Sequence, residues 1–264
     1  MNSPLPVRVE ALLREALHRL PESERDALTP VARRLAETTW QERLAARLPS
    51  DNRGEHEFVV LDNVLRIAVA EGLSLSEKRI AVAFAFLHDA IVIERITEWE
   101  IRAAASPDAK AELEARKVAQ RMRHMQEGAE FARGALKAMG QLSADEIERC
   151  AAIIAGHDLW KLGRPHPAGD DRLALACIEG DALWPLHPLG VLADLERPGD
   201  DGRTPGLHDP AAWRRQLNHS TATLCEYRGN WKHESQADFQ DDDSIFRTAE
   251  GGRIFRAWRR FWNV

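Results

Sequence analysis

The chain has 264 residues and a formal net charge of −6. Its length suits one large domain with a full core, or two small ones, and its acidity excludes the basic footprint of a non-specific nucleic-acid binder. Cys150, Cys177 and Cys225 are far apart with no C-x-x-C spacing, which argues against a disulfide framework or a zinc–thiolate site and for a cytoplasmic protein. Met1–Val9 carries no apolar h-region, so no signal peptide is expected, and the longest apolar run is too short to span a bilayer. One tyrosine, few β-branched alternations and much Ala, Leu, Arg and Glu predict an all-α fold.

In chain order, residues 5–20 read as an amphipathic helix stopped by Pro21. Thr29 as N-cap with Pro30 at the first helical position predicts a second helix to about Leu48. Residues 49–54 read as a loop. A third helix is expected from about Glu55 to Glu71, with Gly72 as its C-terminal cap. Ser74-Leu75-Ser76-Glu77 is a capping box opening the helix that ends near His88-Asp89. Ile91–Ala105 reads as helical.

Ser106-Pro107 opens a long helix stopped by Gly140, and Ser143-Ala144-Asp145-Glu146 is a second capping box, for a helix to about Gly156. Residues 161–171 read as a Pro/Gly-rich loop, and Arg172 to Trp184 as a helix stopped by Pro185. A polar loop, Glu196–Pro210, precedes a helix from Asp209-Pro210 to about Tyr227. Residues 234–243 are acidic, and Phe246–Trp262 reads as an Arg/aromatic helix. No repeat or long linker divides the chain. A single domain over 1–264 is expected, with its core at about 53–186 and helical extensions at 1–50 and 187–264.

The informative stretch is Phe84-Ala85-Phe86-Leu87-His88-Asp89-Ala90. Neighbouring residues on a helix lie about 100° apart, so His88 and Asp89 can reach one point. An Asp in a run this apolar costs stability unless it is paired or binds a metal. His56, His124, His157 and Asp181 each lie on or beside an apolar helical stripe as well. One such histidine is ordinarily a core or surface residue. Four imidazoles and two carboxylates directed into one helical bundle can hold one or two first-row metals.

The series His56, His88-Asp89 and Asp181 resembles the signature of the HD-domain superfamily of metal-dependent phosphohydrolases, over roughly Arg53 to Leu186. Arg53-Gly54-Glu55-His56 with Val60 resembles that family's first-ligand helix, Phe86-Leu87-His88-Asp89 its Leu-His-Asp core, and Asp181-Ala182-Leu183 its final Asp segment. His124 with Gly128-Ala129, and Ile153-Ile154 with His157, resemble the extra histidines of members with a second metal. The Arg that often follows that Asp is Ala182 here, and there is one clear departure: the Gly-Lys that often follows His-Asp-Ile is missing, the sequence being Ala90-Ile91-Val92-Ile93.

The resemblance implies an all-α HD-domain bundle. His56, His88, Asp89 and Asp181 would hold the first metal, Asp89 would bridge, and His124 and His157 would hold the second. It implies a phosphohydrolase acting on a phosphomonoester or phosphodiester, such as a nucleotide, through a metal-activated water. Mixed His/Asp ligation suits divalent Mn, Fe, Co, Ni or Zn. Asp158 is a candidate to orient a ligand or relay a proton, against a plain surface carboxylate. Lys161 and Arg164, just after His157, are the main candidates for binding the phosphate of a small-molecule phosphoester; Arg121, Arg95 and His166 are weaker ones. Two alternatives stay open: an HD-fold di-iron oxygenase cleaving a C–C or C–P bond, and a non-catalytic HD signalling module. The tail from Arg253 to Trp262 is expected to pack back on the domain, with a partner subunit of a homodimer or a membrane surface as alternatives.

Overall fold

The structure is a computed structural model, and it describes residues 5–46, 55–91, 96, 101, 103–165, 169–196, 209–226 and 245–264. Among the described residues there is no strand, so the fold is all-α. Arg53-Gly54, Arg95, His166, the acidic stretch 234–243 and most of the expected helix Ile91–Ala105 lie outside the described residues.

Two antiparallel helix pairs carry the site. In the first, α3 (His56–Ala70) and α4 (Leu75–Leu87) are joined by a tight turn. Gly72 takes the left-handed conformation there (φ 66°), Leu73 N–H bonds the Ala68 carbonyl at 2.9 Å and Gly72 N–H bonds that of Val69 at 3.1 Å. That is a Schellman termination, which a Cβ-bearing residue would strain. Ser74 Oγ accepts from Glu77 N–H, and the Glu77 carboxylate reaches back to Ser74 N–H at 2.9 Å, so the predicted capping box starts α4. A short turn forces the helices antiparallel, which brings the start of α3 beside the end of α4. His56 and His88 therefore meet although 32 residues separate them.

The second pair is α5 (Pro107–Met139) and α6 (Ala144–Ile154), joined at Gly140 (φ 67°) and the Ser143–Glu146 capping box. His124 and His157 lie at similar distances from this turn, so the same geometry levels them. Around the pairs, α1 (Val7–Leu17) and α2 (Glu22–Ala46) cover α3 and α4, and α7 (Arg172–Ala182) packs across both. Helix α8 (Pro188–Glu196), α9 (Pro210–Glu226) and α10 (Ala249–Trp262) complete the described chain. Both α3 and α4 are buried almost all round, with Ile80 to Leu87 between 0 and 2% exposed, as expected for central helices.

The structure corrects several expectations. Helix α2 begins at Glu22, not at Thr29, and Pro30 lies inside it. Thr29 is no N-cap; its Oγ1 donates to the Arg25 carbonyl at 2.7 Å. Leu28, Val31, Ala32, Leu35 and Ala36 form one buried stripe running across the proline. Burying such side chains is worth about 1.5–3 kcal/mol each, enough to offset the roughly 3 kcal/mol an interior proline costs. Residues 161–171 are not wholly loop, because Leu159–Leu162 is a 3₁₀ turn ended by Gly163 (φ 69°). The helix from Arg172 ends at Ala182, and Trp184–Leu186 is a separate 3₁₀ turn. Helix α8 was not anticipated.

The C-terminal helix packs back on the domain, as expected from its sequence. Ile254 and Phe255 are buried, Trp262 Nε1 donates to the Leu186 carbonyl at 2.7 Å, and Phe261 remains 65% exposed. Its first turn is anchored by the buried Glu179 of α7. Glu179 Oε1 accepts from Arg247 N–H at 2.6 Å, and Oε2 accepts from the Thr248 hydroxyl at 2.5 Å. No described helix is long and apolar enough to cross a membrane.

Candidate metal centre

The carboxylate of Asp89 stands between four imidazoles, and its two oxygens divide them. Oδ2 lies 3.3 Å from His56 Nε2 and 3.8 Å from His88 Nε2. Oδ1 lies 3.1 Å from His124 Nε2 and 3.7 Å from His157 Nε2. On the first side, Asp181 Oδ1 is 3.3 Å from both His56 Nε2 and His88 Nε2, which are themselves 3.0 Å apart. His56, His88 and Asp181 thus form one group of possible ligands and Asp89, His124 and His157 another, the donor atoms of each lying within 4.8 Å of one another.

The rings are held in the orientation a cation needs. His88 Nδ1 faces the Phe84 carbonyl at 3.1 Å, His124 Nδ1 that of Ile91 at 2.6 Å, and His157 Nδ1 that of Ile154 at 2.7 Å. A carbonyl can only accept, so these Nδ1 atoms carry protons and the Nε2 atoms face inward, each offering a lone pair when its ring is neutral. Phe84 stacks on His88 with centroids 4.9 Å apart, and Trp184 meets the His56 ring edge-on at 5.0 Å. His56 Nδ1 is buried with no partner.

Lone pairs and carboxylate oxygens this close repel unless positive charge lies among them. Burial pushes the His88 imidazole down, but Asp89 and Asp181 outweigh it and carry it up to about 9. Burial pushes Asp89 and Asp181 up, yet the surrounding imidazoles, His88 foremost, hold both well below the usual carboxylate range. With metal–donor bonds of about 2.1 Å, adjacent ligands of an octahedral ion stand about 3.0 Å apart and of a tetrahedral ion about 3.4 Å. The separations of 3.0–3.3 Å in the first group match, so the residues fit a first-row divalent ion. His56, His88 and His157 are buried, whereas the Asp89 side chain is 32% exposed, so the centre opens on the Asp89 side.

The other candidate residues divide sharply. Asp158 is buried, with Oδ2 paired to Arg121 Nη1 and Oδ1 2.6 Å from Lys161 Nζ. Its own N–H points at Met125 Sδ, 3.3 Å away. Burial would raise the Asp158 carboxyl, but Lys161 and Arg121 hold it well below the usual range. Burial would lower the Lys161 ammonium, but Asp158 and Asp181 hold it above its ordinary value. Arg164 is exposed, with Nη1 3.8 Å from Met122 Sδ, and does not join this cluster.

Sequence reasoning ranked Arg121 below Arg164; the helical spacing of Arg121 to His124 was the available signal. It missed Phe84, four residues before His88 on the same helix face, and Trp184. The anchoring of Glu179 to Thr248 had no local signal. Comparison of the chain with protein-family models, curated proteins and solved structures gave no match in any of the three.

Proposed function

We propose that this chain is a metal-dependent phosphohydrolase of the HD type, cleaving a small-molecule phosphomonoester or phosphodiester. The observation that carries the reading is the division of four inward-facing Nε2 atoms between the two oxygens of Asp89. His56, His88, Asp181 and Asp89 Oδ2 would hold one divalent ion, and His124, His157 and Asp89 Oδ1 a second. Such ions, when bound, lower the pKa of water and offset charge on a phosphoryl oxygen.

The chain's own residues would do the rest. The Phe84, Ile91 and Ile154 carbonyls hold the Nδ1 protons of three imidazoles and aim their Nε2 atoms inward, and His88 would shed the further proton that Asp89 and Asp181 favour on it when a metal binds. Asp89, the more exposed carboxylate, ties the two halves together at the open side. The buried rings of Phe84 and Trp184 hold His88 and His56 in place and exclude water behind them. No serine or cysteine nucleophile is required; Cys150 and Cys177 are buried, and burial pushes the Cys150 thiol up to about 12.

The same six donors favour a second reading, a di-iron oxygenase acting on a C–C or C–P bond. Elemental analysis of chain purified without chelator, followed by a phosphoester screen under nitrogen, separates the two. Metal at one to two ions per chain with phosphate release in the absence of O2 is the expected result. Turnover only with O2 on a two-iron protein would replace the hydrolase by the oxygenase. Absence of metal after reconstitution would overturn both.

A further inference from the structure

The cluster of Asp158, Arg121 and Lys161 has a composition that packing alone does not call for. Asp158 is 6% exposed, and each of its two oxygens meets a different cation. The cations come from separate elements, Arg121 from α5 and Lys161 from the 3₁₀ turn. Their side chains are 27 and 32% exposed, so neither is sealed in the core. Arg121 engages Asp158 through Nη1, leaving Nε and Nη2; Lys161 has two further N–H donors. Lys161 Nζ also lies 5.2 Å from the Trp160 ring centroid, a cation–π contact that helps to place the ammonium.

The cluster adjoins two of the candidate ligands along the chain. Arg121 lies three residues before His124 on one helix face, and Asp158 directly follows His157. Two cations against one carboxylate leave the cluster itself a charge of +1.

We propose that Arg121 and Lys161, held side by side by the buried Asp158, form a receptor for a tetrahedral dianion, so that the substrate carries a terminal phosphoryl group and is a phosphomonoester. The proposal rests on the phosphohydrolase reading of the centre and deepens it. A guanidinium edge and an ammonium at a fixed spacing offer separate donors to two oxygens of one phosphoryl group. A terminal group has three free oxygens and two negative charges near pH 8. A diester has two free oxygens and one charge, and an ester chain stands where the third oxygen would be.

The test is calorimetric titration of inorganic phosphate and of dimethyl phosphate into the full chain reconstituted with Mn2+, at pH 8. Metal content is measured for each protein. Phosphate is expected to bind at least 10-fold more tightly than dimethyl phosphate, and Arg121→Gln and Lys161→Gln each to weaken phosphate at least 10-fold with metal content unchanged. Equal affinity for the two anions, or phosphate binding unchanged in both variants, would overturn the receptor. If either variant loses helicity, the comparison of the two anions on the unaltered chain decides alone. A chain that takes up no metal but keeps an Arg121-dependent preference for phosphate would retain the receptor and remove the metal reading.

Discussion

Gly180 lies directly against Val64. A Cβ placed on Gly180 would sit 2.3 Å from Val64 Cγ2, closer than atoms can pack, and a tight 3.0 Å from Val64 N. Asn63 Nδ2 donates to the Gly180 carbonyl at 3.2 Å, fixing the same contact. Since Asp181 is the next residue, this close approach of α7 to α3 sets where one carboxylate of the centre stands. Gly180→Ala should push the helices apart, costing about 1–3 kcal/mol by overpacking. It should also weaken metal binding by about 10-fold, as loss of ligand support does. Urea unfolding and a metal competition titration check the two effects; unchanged metal affinity would show that Asp181 does not depend on this packing.

The division of imidazoles at Asp89 predicts unequal losses from single substitutions. His124→Ala and His157→Ala should each leave about one ion per chain, bound by His56, His88 and Asp181. Asp181→Ala should empty that first site, and Asp89→Asn should weaken both, each by about 100-fold or more. Activity should fall in all four, while helicity by circular dichroism stays near that of the unaltered chain. Two full-occupancy ions in His124→Ala would remove His124 from the ligand set.

His187 stacks on Trp184 at 6.4 Å and meets Trp258 edge-on at 5.3 Å, and its Nδ1 accepts from Leu189 N–H at 3.2 Å. Burial lowers this imidazole to about 4, against a weaker opposing pull from Asp62. In the unfolded chain a histidine titrates near 6.5. Between these values the unfolded chain binds a proton that the folded chain refuses, so stability falls as pH drops from about 6.5 to about 4 and levels below. The loss from this residue should be on the order of 1–2 kcal/mol between pH 7 and pH 5. His187→Gln should flatten that part of the stability–pH curve in denaturant titrations. A curve that drops as steeply in the variant would assign the acid limb to other groups.

Glu146 closes the α6 capping box and also accepts from Ser76 Oγ at 2.7 Å and Arg79 Nη1 at 2.8 Å, joining α6 to α4. Ser143→Ala removes only the cap and should cost about 1 kcal/mol. Glu146→Ala strands the cap and the two α4 donors as well and should cost about 2 kcal/mol. Equal losses in urea midpoints would mean that the link to α4 contributes nothing.

The sequence by itself determined the features whose causes lie within one helical turn. The Ser74–Glu77 and Ser143–Glu146 boxes and the stops at Gly72 and Gly140 are local hydrogen-bond and backbone-angle requirements, and each stands where the residues place it. The six candidate metal ligands could also be picked out in order along the chain, as polar residues that an apolar stripe does not tolerate without a partner.

Tertiary structure alone decided the rest. That Asp89 turns one oxygen to His56 and the other to His124 depends on how two helix pairs dock, over separations of about 30 residues that no local pattern encodes. Asp158 reads locally as a helix-end carboxylate, and only packing against α5 pairs it with Arg121 and draws Lys161 to its other oxygen. Pro30 reads locally as a helix start, yet the continuous burial of Leu28 to Ala36 outweighs the lost hydrogen bond and carries α2 through it. Most local preferences are worth about 1 kcal/mol, an interior proline about 3, and the burial of several side chains or a pair of charges overrides them.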